Sequence, residues 1–137
     1  MVTVERHIGK HVFTVYDDIV LGTLDGTFCV EDAHQYVELL SEIVRKHHEY
    51  YACGDLRRMG QFPPETRRVM VEGHKALHCA GVAIIGAPFL LRTMIVMAVR
   101  ALSAIGKNDA PLRFVQNQEE AMTWLSAQRA KRQQKKS

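Results

Sequence analysis

Residues 111–125, PLRFVQNQEEAMTWL, decide how this chain folds. Leu112, Phe114 and Gln116 alternate with Arg113 and Val115, as the two faces of a strand do. Asn117 then opens a helix, and Glu120, three residues on, completes a capping box. Ala121, Met122, Trp124 and Leu125 supply that helix with a buried stripe.

Strand followed by helix is also the pattern upstream. Ala80–Ala87 (AGVAIIGA) is apolar on both faces, which suits a central strand covered on both sides. Pro88 opens a third helix that ends near Ile105-Gly106, with the glycine as its stop. Tyr50–Asp55 (YYACGD) reads as a short strand, and Pro63-Pro64 marks the start of a helix over Glu65–His78, striped by Val69, Met70, Gly73, Ala76 and Leu77. Val30–His47 is a helix, because Ala33, Tyr36, Val37, Leu40, Ile43, Val44 and His47 recur at helical spacing. Glu31 and Asp32 sit at its positive end and Arg45, Lys46 and His48 at its negative end. His11–Asp17 and Ile19–Asp25 read as two strands reversed at Asp18. Helices of this length between strands require crossover connections, hence a mostly parallel sheet in which only the first strand runs antiparallel. The expectation is one α/β domain, a mixed sheet of about five strands with four helices in the order β-β-α-β-α-β-α-β-α.

With 137 residues the chain is long enough to bury a core unaided. Met1–Lys10 lacks the apolar run of a signal peptide, and the least polar stretch, Cys79–Leu91, is short and broken by Gly86 and Pro88, so no integral membrane segment is expected. Cys29, Cys53 and Cys79 are odd in number and share no CxxC spacing, which suits reduced thiols and a cytoplasmic location. The formal charge of +3 is unevenly spread. Arg129, Lys131, Arg132, Lys135 and Lys136 lie in the last residues; without those five the body has thirteen basic and fifteen acidic residues, a net charge near −2. Residues 1–128 are therefore expected to form the domain and 129–137 a solvated basic tail. No basic and aromatic interleaving supports nucleic-acid binding.

The runs LGTLDGTFCVEDAHQYVELL, YYACGD, AGVAIIGAPFLLR and PLRFVQNQEEAMTWL together resemble the STAS-like, SpoIIAA-like family of small bacterial domains. That family is related in fold to anti-sigma-factor antagonists and to the lipid-binding SEC14 domain. The resemblance covers roughly residues 10–127, and its most specific part is Arg113, Phe114, Glu119, Glu120, Ala121, Trp124 and Leu125. It implies a non-enzymatic signalling domain that binds a protein partner or a small ligand. The antagonists carry a phosphorylatable serine in a D-S-x-G turn. Here Gly54–Thr66 holds no serine, and its one hydroxyl, Thr66, lacks the glycine context, so the phospho-switch is not carried over.

Two regions stand out as binding surfaces. Arg57, Arg58, Arg67 and Arg68 bracket Phe62-Pro63-Pro64 at the carboxyl end of a parallel strand, where α/β sheets place ligands and where a helix N-terminus suits an anion. The third helix carries only a narrow polar arc of Arg92, Thr93, Arg100 and Ser103, into which Phe89 and Val96 intrude. Apolar surface, including the adaptable Met94 and Met97, is left over. Three covers are open: neighbouring helices, a second copy in a homodimer, or a lipid-like ligand. His74 and His78 share a helix face, and with Cys79 they superficially suggest a metal, yet no further ligand is evident, so no metal is expected. No nucleophile stands beside a base, and no P-loop, GxSxG or dinucleotide glycine pattern occurs, so neither an enzyme nor a cofactor is expected. The reading is a regulatory interaction module; the alternative is a carrier or sensor of a lipid-like or small anionic ligand.

Overall fold

The computed structural model describes residues 3–104 and 110–136, the side chains of residues 74, 75, 102, 103 and 136 excepted. Its elements are β1 (Thr3–Ile8), β2 (His11–Tyr16), β3 (Ile19–Gly26), α1 (Val30–His47), β4 (Tyr50–Met59), α2 (Pro64–Ala76), β5 (Cys79–Ile85), α3 (Phe89–Ala104), β6 (Leu112–Val115) and α4 (Gln118–Lys136). The strands form one six-stranded sheet in chain order. β2 runs antiparallel to both its neighbours, and β3 through β6 are parallel. The reversed strand is the expected one, His11 onward, but the sheet has one strand more than the five expected. β1 escaped the sequence reading because it is a polar edge: five of its six residues are exposed and only Ile8 is buried.

Alternation along the strands splits the core in two. Val20, Leu24, Tyr50, Ala52, Leu56, Cys79 and Ile84 face α1, while Ile19, Leu21, Tyr51, Cys53, Ala83 and Ile85 face Ala121 and Leu125 of α4. Three helices thus share one face, and α4 alone covers the other. β5 is covered on both sides, as its unbroken apolar run demands.

Local chemistry sets the ends of the helices. The Asp32 carboxylate accepts the Cys29 N–H (3.2 Å) at the start of α1. His48 adopts a left-handed conformation (φ 72°) and donates its N–H to Val44 O (2.7 Å) at the other end. Pro64 opens α2. Glu120 N–H donates to Asn117 Oδ1 (2.8 Å), and the Glu120 side chain accepts the Gln116 N–H (3.0 Å), so the capping motif closes at the start of α4. The expected glycine stop at Gly106 lies outside the described residues.

The boundary expected at residue 129 falls inside a helix. α4 continues to Lys136, and its basic residues bind the acids at the amino end of the parallel strands. Arg129 pairs with Asp18, and Arg132 Nε donates to both Glu49 oxygens (2.9 and 2.8 Å). The basic excess of this segment is in part spent on the body's acidic excess.

Candidate functional site

Gly22, Gly54 and Ile84 are successive register partners across β3, β4 and β5, on the face that carries α1, α2 and α3. Two residues without side chains side by side, with Ala52 nearby, leave the middle of that face low. Over it lies a cavity of about 220 Å³. Gly22, Ala52 and Gly54 contribute to its floor, Met70 and Val71 of α2 line one flank, and Leu91, Met94, Ile95, Ala98 and Val99 of α3 line another. Phe13, Phe28, Tyr36 and Phe62 close it with aromatic surface, Phe13 and Tyr36 being stacked 5.0 Å apart.

α3 flanks this cavity. Its sequence is among the most apolar in the chain, yet no side chain described on it is buried. Leu91, Met94, Ile95, Ala98 and Val99 are half-buried and turned to the cavity, while Phe89, Leu90 and Met97 are 84%, 72% and 65% exposed. Among the described residues, neighbouring helices leave Phe89, Leu90 and Met97 uncovered.

The polar groups at the cavity are few. Arg67, in the first turn of α2, is the one charged residue lining it among the described residues. Its Nη1 lies 3.5 Å from Met94 Sδ, a weak acceptor, and among the described residues no carboxylate pairs with it. Tyr36 is 7% exposed, and burial pushes its pKa well up, so it stays a neutral phenol. Cys53 also borders the cavity; burial pushes its thiol up to about 12, and burial takes Cys79 up to about 11, so both stay protonated near neutral pH.

Of the residues singled out from sequence, the fold brings Phe62, Arg67 and Met94 together at the cavity. The others lie elsewhere. Arg57 and Arg58 are not in a loop: β4 runs on to Met59, because Asp25 and Gly26 pair with Arg58 and Met59 past a bulge. Arg57 grips the buried Asp55 through Nε (3.0 Å) and Nη2 (2.7 Å), and Arg58 pairs with Asp25 at 3.2 Å. The hydrogen bonds from Arg57 hold the Asp55 carboxyl below its usual range. Arg57 also lies flat over Gly86 (φ 71°), where an added Cβ would stand 2.2 Å from its Cγ. It is a clasp between β4 and the turn before α3. Arg68 is exposed on α2, and Arg92 stacks over the Phe114 ring at 4.4 Å. Phe89 and Met97 face outward, and Val96 is half-buried away from the cavity. Thr66 is fully buried, with no hydrogen-bond partner for its hydroxyl among the described residues.

The His74 side chain lies outside the described residues. His78 Nε2 meets Arg132 Nη2 at 2.7 Å, and among the described residues no group of His, Cys, Asp and Glu is placed to hold a metal. No described helix is long and apolar enough to cross a membrane. The sequence reading missed Gly22, Gly54 and Tyr36. Their role comes from cross-strand neighbours, and the only signal was a pair of lone glycines at matched depth in two apolar strands.

Comparison with solved structures places this geometry on a known fold. The anti-sigma factor antagonist SpoIIAA in its unphosphorylated form superposes with a TM-score of 0.60 at 10% identity, over 91% of this chain and 98% of that one. An uncharacterized DUF3478 protein with a SpoIIAA-like fold from Shewanella loihica PV-4 gives 0.53 at 16% identity, over 90% and 92%. Comparison with curated proteins finds no match. The family model described as SpoIIAA-like matches residues 19–126, from the start of β3 into α4. The chain belongs to the SpoIIAA-like family.

Proposed function

We propose that this protein is a non-enzymatic, cytoplasmic regulatory module that binds a small apolar ligand between α3 and the sheet. α3 is the element that reports occupancy to a protein partner. The observation that supports this is the cavity itself. A dry apolar cavity of ~150 Å³ holds a benzene-sized molecule, and the one under α3 measures about 220 Å³. One of its walls belongs to a helix with no fully buried side chain among those described, so a ligand there adds packing to α3. The outer flank, Phe89, Leu90 and Met97, is the surface offered to a partner. The likeness to the antagonist SpoIIAA supports a regulatory role, and the burial of Thr66 supports a mode of control other than phosphorylation there.

Titration with N-phenyl-1-naphthylamine, a neutral fluorophore that brightens in apolar surroundings, tests this reading. Saturable binding at one site per chain, lost in Gly54→Leu, is expected. Equal binding by the wild type and Gly54→Leu would refute it. Sedimentation reads the partner surface for a second copy of the chain: a dimer that Leu90→Glu dissociates would make that copy the partner.

A further inference from the structure

The chemistry of the cavity narrows its ligand. We infer that it takes a single-chain amphiphile with an anionic head, the chain lying along the Gly22–Gly54 floor and the head held by Arg67. This rests on the cavity being a ligand site and adds the class of ligand.

Three observations carry it. Among the described residues Arg67 is the one charged residue on a mostly apolar wall, and it is half-buried, so it borders both cavity and solvent. Arg57 and Arg58 nearby each hold a carboxylate, whereas Arg67 has none among the described residues and donates only to the Met94 thioether. A partly desolvated guanidinium on an apolar wall favours an anion strongly, and a planar carboxylate or a phosphate matches its fork of donors. Finally, Tyr36 lines the same cavity and is more than nine-tenths buried, so a second polar side chain borders the apolar space. A neutral hydrocarbon would leave Arg67 unused; a cationic head would meet it with like charge.

The same head chemistry is found on free fatty-acid-like molecules and on lipids in a bilayer. A site partly enclosed by α2, α3 and the sheet favours the free molecule, because a bilayer lipid would have to leave its leaflet to reach Tyr36.

The test displaces bound N-phenyl-1-naphthylamine with decanoate, decanol and decyltrimethylammonium, in wild type, Arg67→Met and Arg67→Lys. Decanoate is expected to compete at least about ten-fold better than decanol in the wild type, as a charge-assisted hydrogen bond allows. Arg67→Met should lose that preference while binding decanol unchanged, and Arg67→Lys should recover part of it. Equal competition by decanoate and decanol in the wild type, or a preference that survives in Arg67→Met, overturns the anionic head and leaves the apolar site standing. Failure of the fluorophore and all three amphiphiles to bind overturns both. Co-sedimentation with phosphatidylglycerol vesicles that depends on Arg67 would instead assign the anion to a membrane surface and overturn the free ligand.

Discussion

Gly22 and Gly54 are paired in register across β3 and β4, and the two differ sharply in what surrounds them. A Cβ at Gly22 would stand 2.5 Å from the Phe13 ring, so that glycine keeps Phe13 in place. A Cβ at Gly54 would meet only Ile84 Cδ1 and Leu56 Cδ2, both at the ordinary contact distance of 3.6 Å. One glycine is required by packing. The other leaves the cavity open where a side chain would fit.

The pair therefore responds oppositely to substitution. Gly54→Ala should gain about 0.5–1 kcal/mol in urea unfolding, since a strand glycine costs backbone entropy. Gly22→Ala should lose about 1–3 kcal/mol by overpacking against Phe13. Gly54→Leu should fold and bind no apolar probe. If Gly54→Ala destabilises as much as Gly22→Ala, the floor of the cavity is not free.

Asp55 and Arg57 give the protein an acid-sensitive joint. The folded carboxyl titrates below its ordinary value near 4, chiefly through hydrogen bonds from Arg57. The unfolded chain then binds the proton more readily. The stabilisation is complete above about pH 4–5 and is lost as pH falls through the depressed value. Asp55→Asn should cost about 1–3 kcal/mol at pH 7 and flatten the decline in stability between roughly pH 5 and 3. Urea titrations across that range decide it; an unchanged decline would place the acid sensitivity elsewhere.

His11 is 1% exposed and joins three segments. Its Nδ1 accepts the Asp25 N–H (2.9 Å), which leaves Nε2 to donate to Asp32 Oδ2 at 3.1 Å. Asp32 in turn caps α1. His11→Ala strips a buried carboxylate and a backbone N–H of their partner and opens space beside Phe28, 5.0 Å away. A loss of about 2–4 kcal/mol is expected; a loss below about 0.5 kcal/mol would show the network to be dispensable.

Removing residues 129–137 should lower the thermal midpoint, because Arg129 and Arg132 bind Asp18 and Glu49 across the amino end of the sheet. Arg132→Ala and Arg129→Ala should each reproduce part of the loss, on the order of 0.5–2 kcal/mol. A truncated chain with wild-type stability would make the segment the solvated tail that its composition suggests.

On α3, Phe89→Glu and Leu90→Glu should change stability by less than about 0.5 kcal/mol, since both side chains are exposed. Leu91→Glu on the cavity side should cost far more. Equal costs would mean that α3 is rotated from the orientation described.

Much of this fold is written in local periodicity. The helical stripe from Ala33 to His47, the doubly apolar run at Ala80–Ile85 and the cap at Asn117–Glu120 each declare their element, because each encodes its own burial. β1 does not, because an edge strand with one buried residue has no pattern to show. The last four residues of β4 were hidden by two arginines, whose partners Asp55 and Asp25 become evident only in the folded register. The ion pairs of Arg129 and Arg132 were hidden for the same reason: composition counts charges, while Asp18 and Glu49 lie far away in sequence. The excess apolar surface of the third helix was legible; the cavity under it was not, since it needs Gly22 and Gly54 to be neighbours.

The most direct measurement follows the methionine methyl groups by NMR as decanoate is added. Met94 lines the cavity and Met97, three residues on, is 65% exposed on the outer flank. The Met94 methyl, with Met70 and Met59 on the other walls, should shift saturably while Met97 stays still. A shift at Met97 with none at Met94 would contradict a ligand beneath α3.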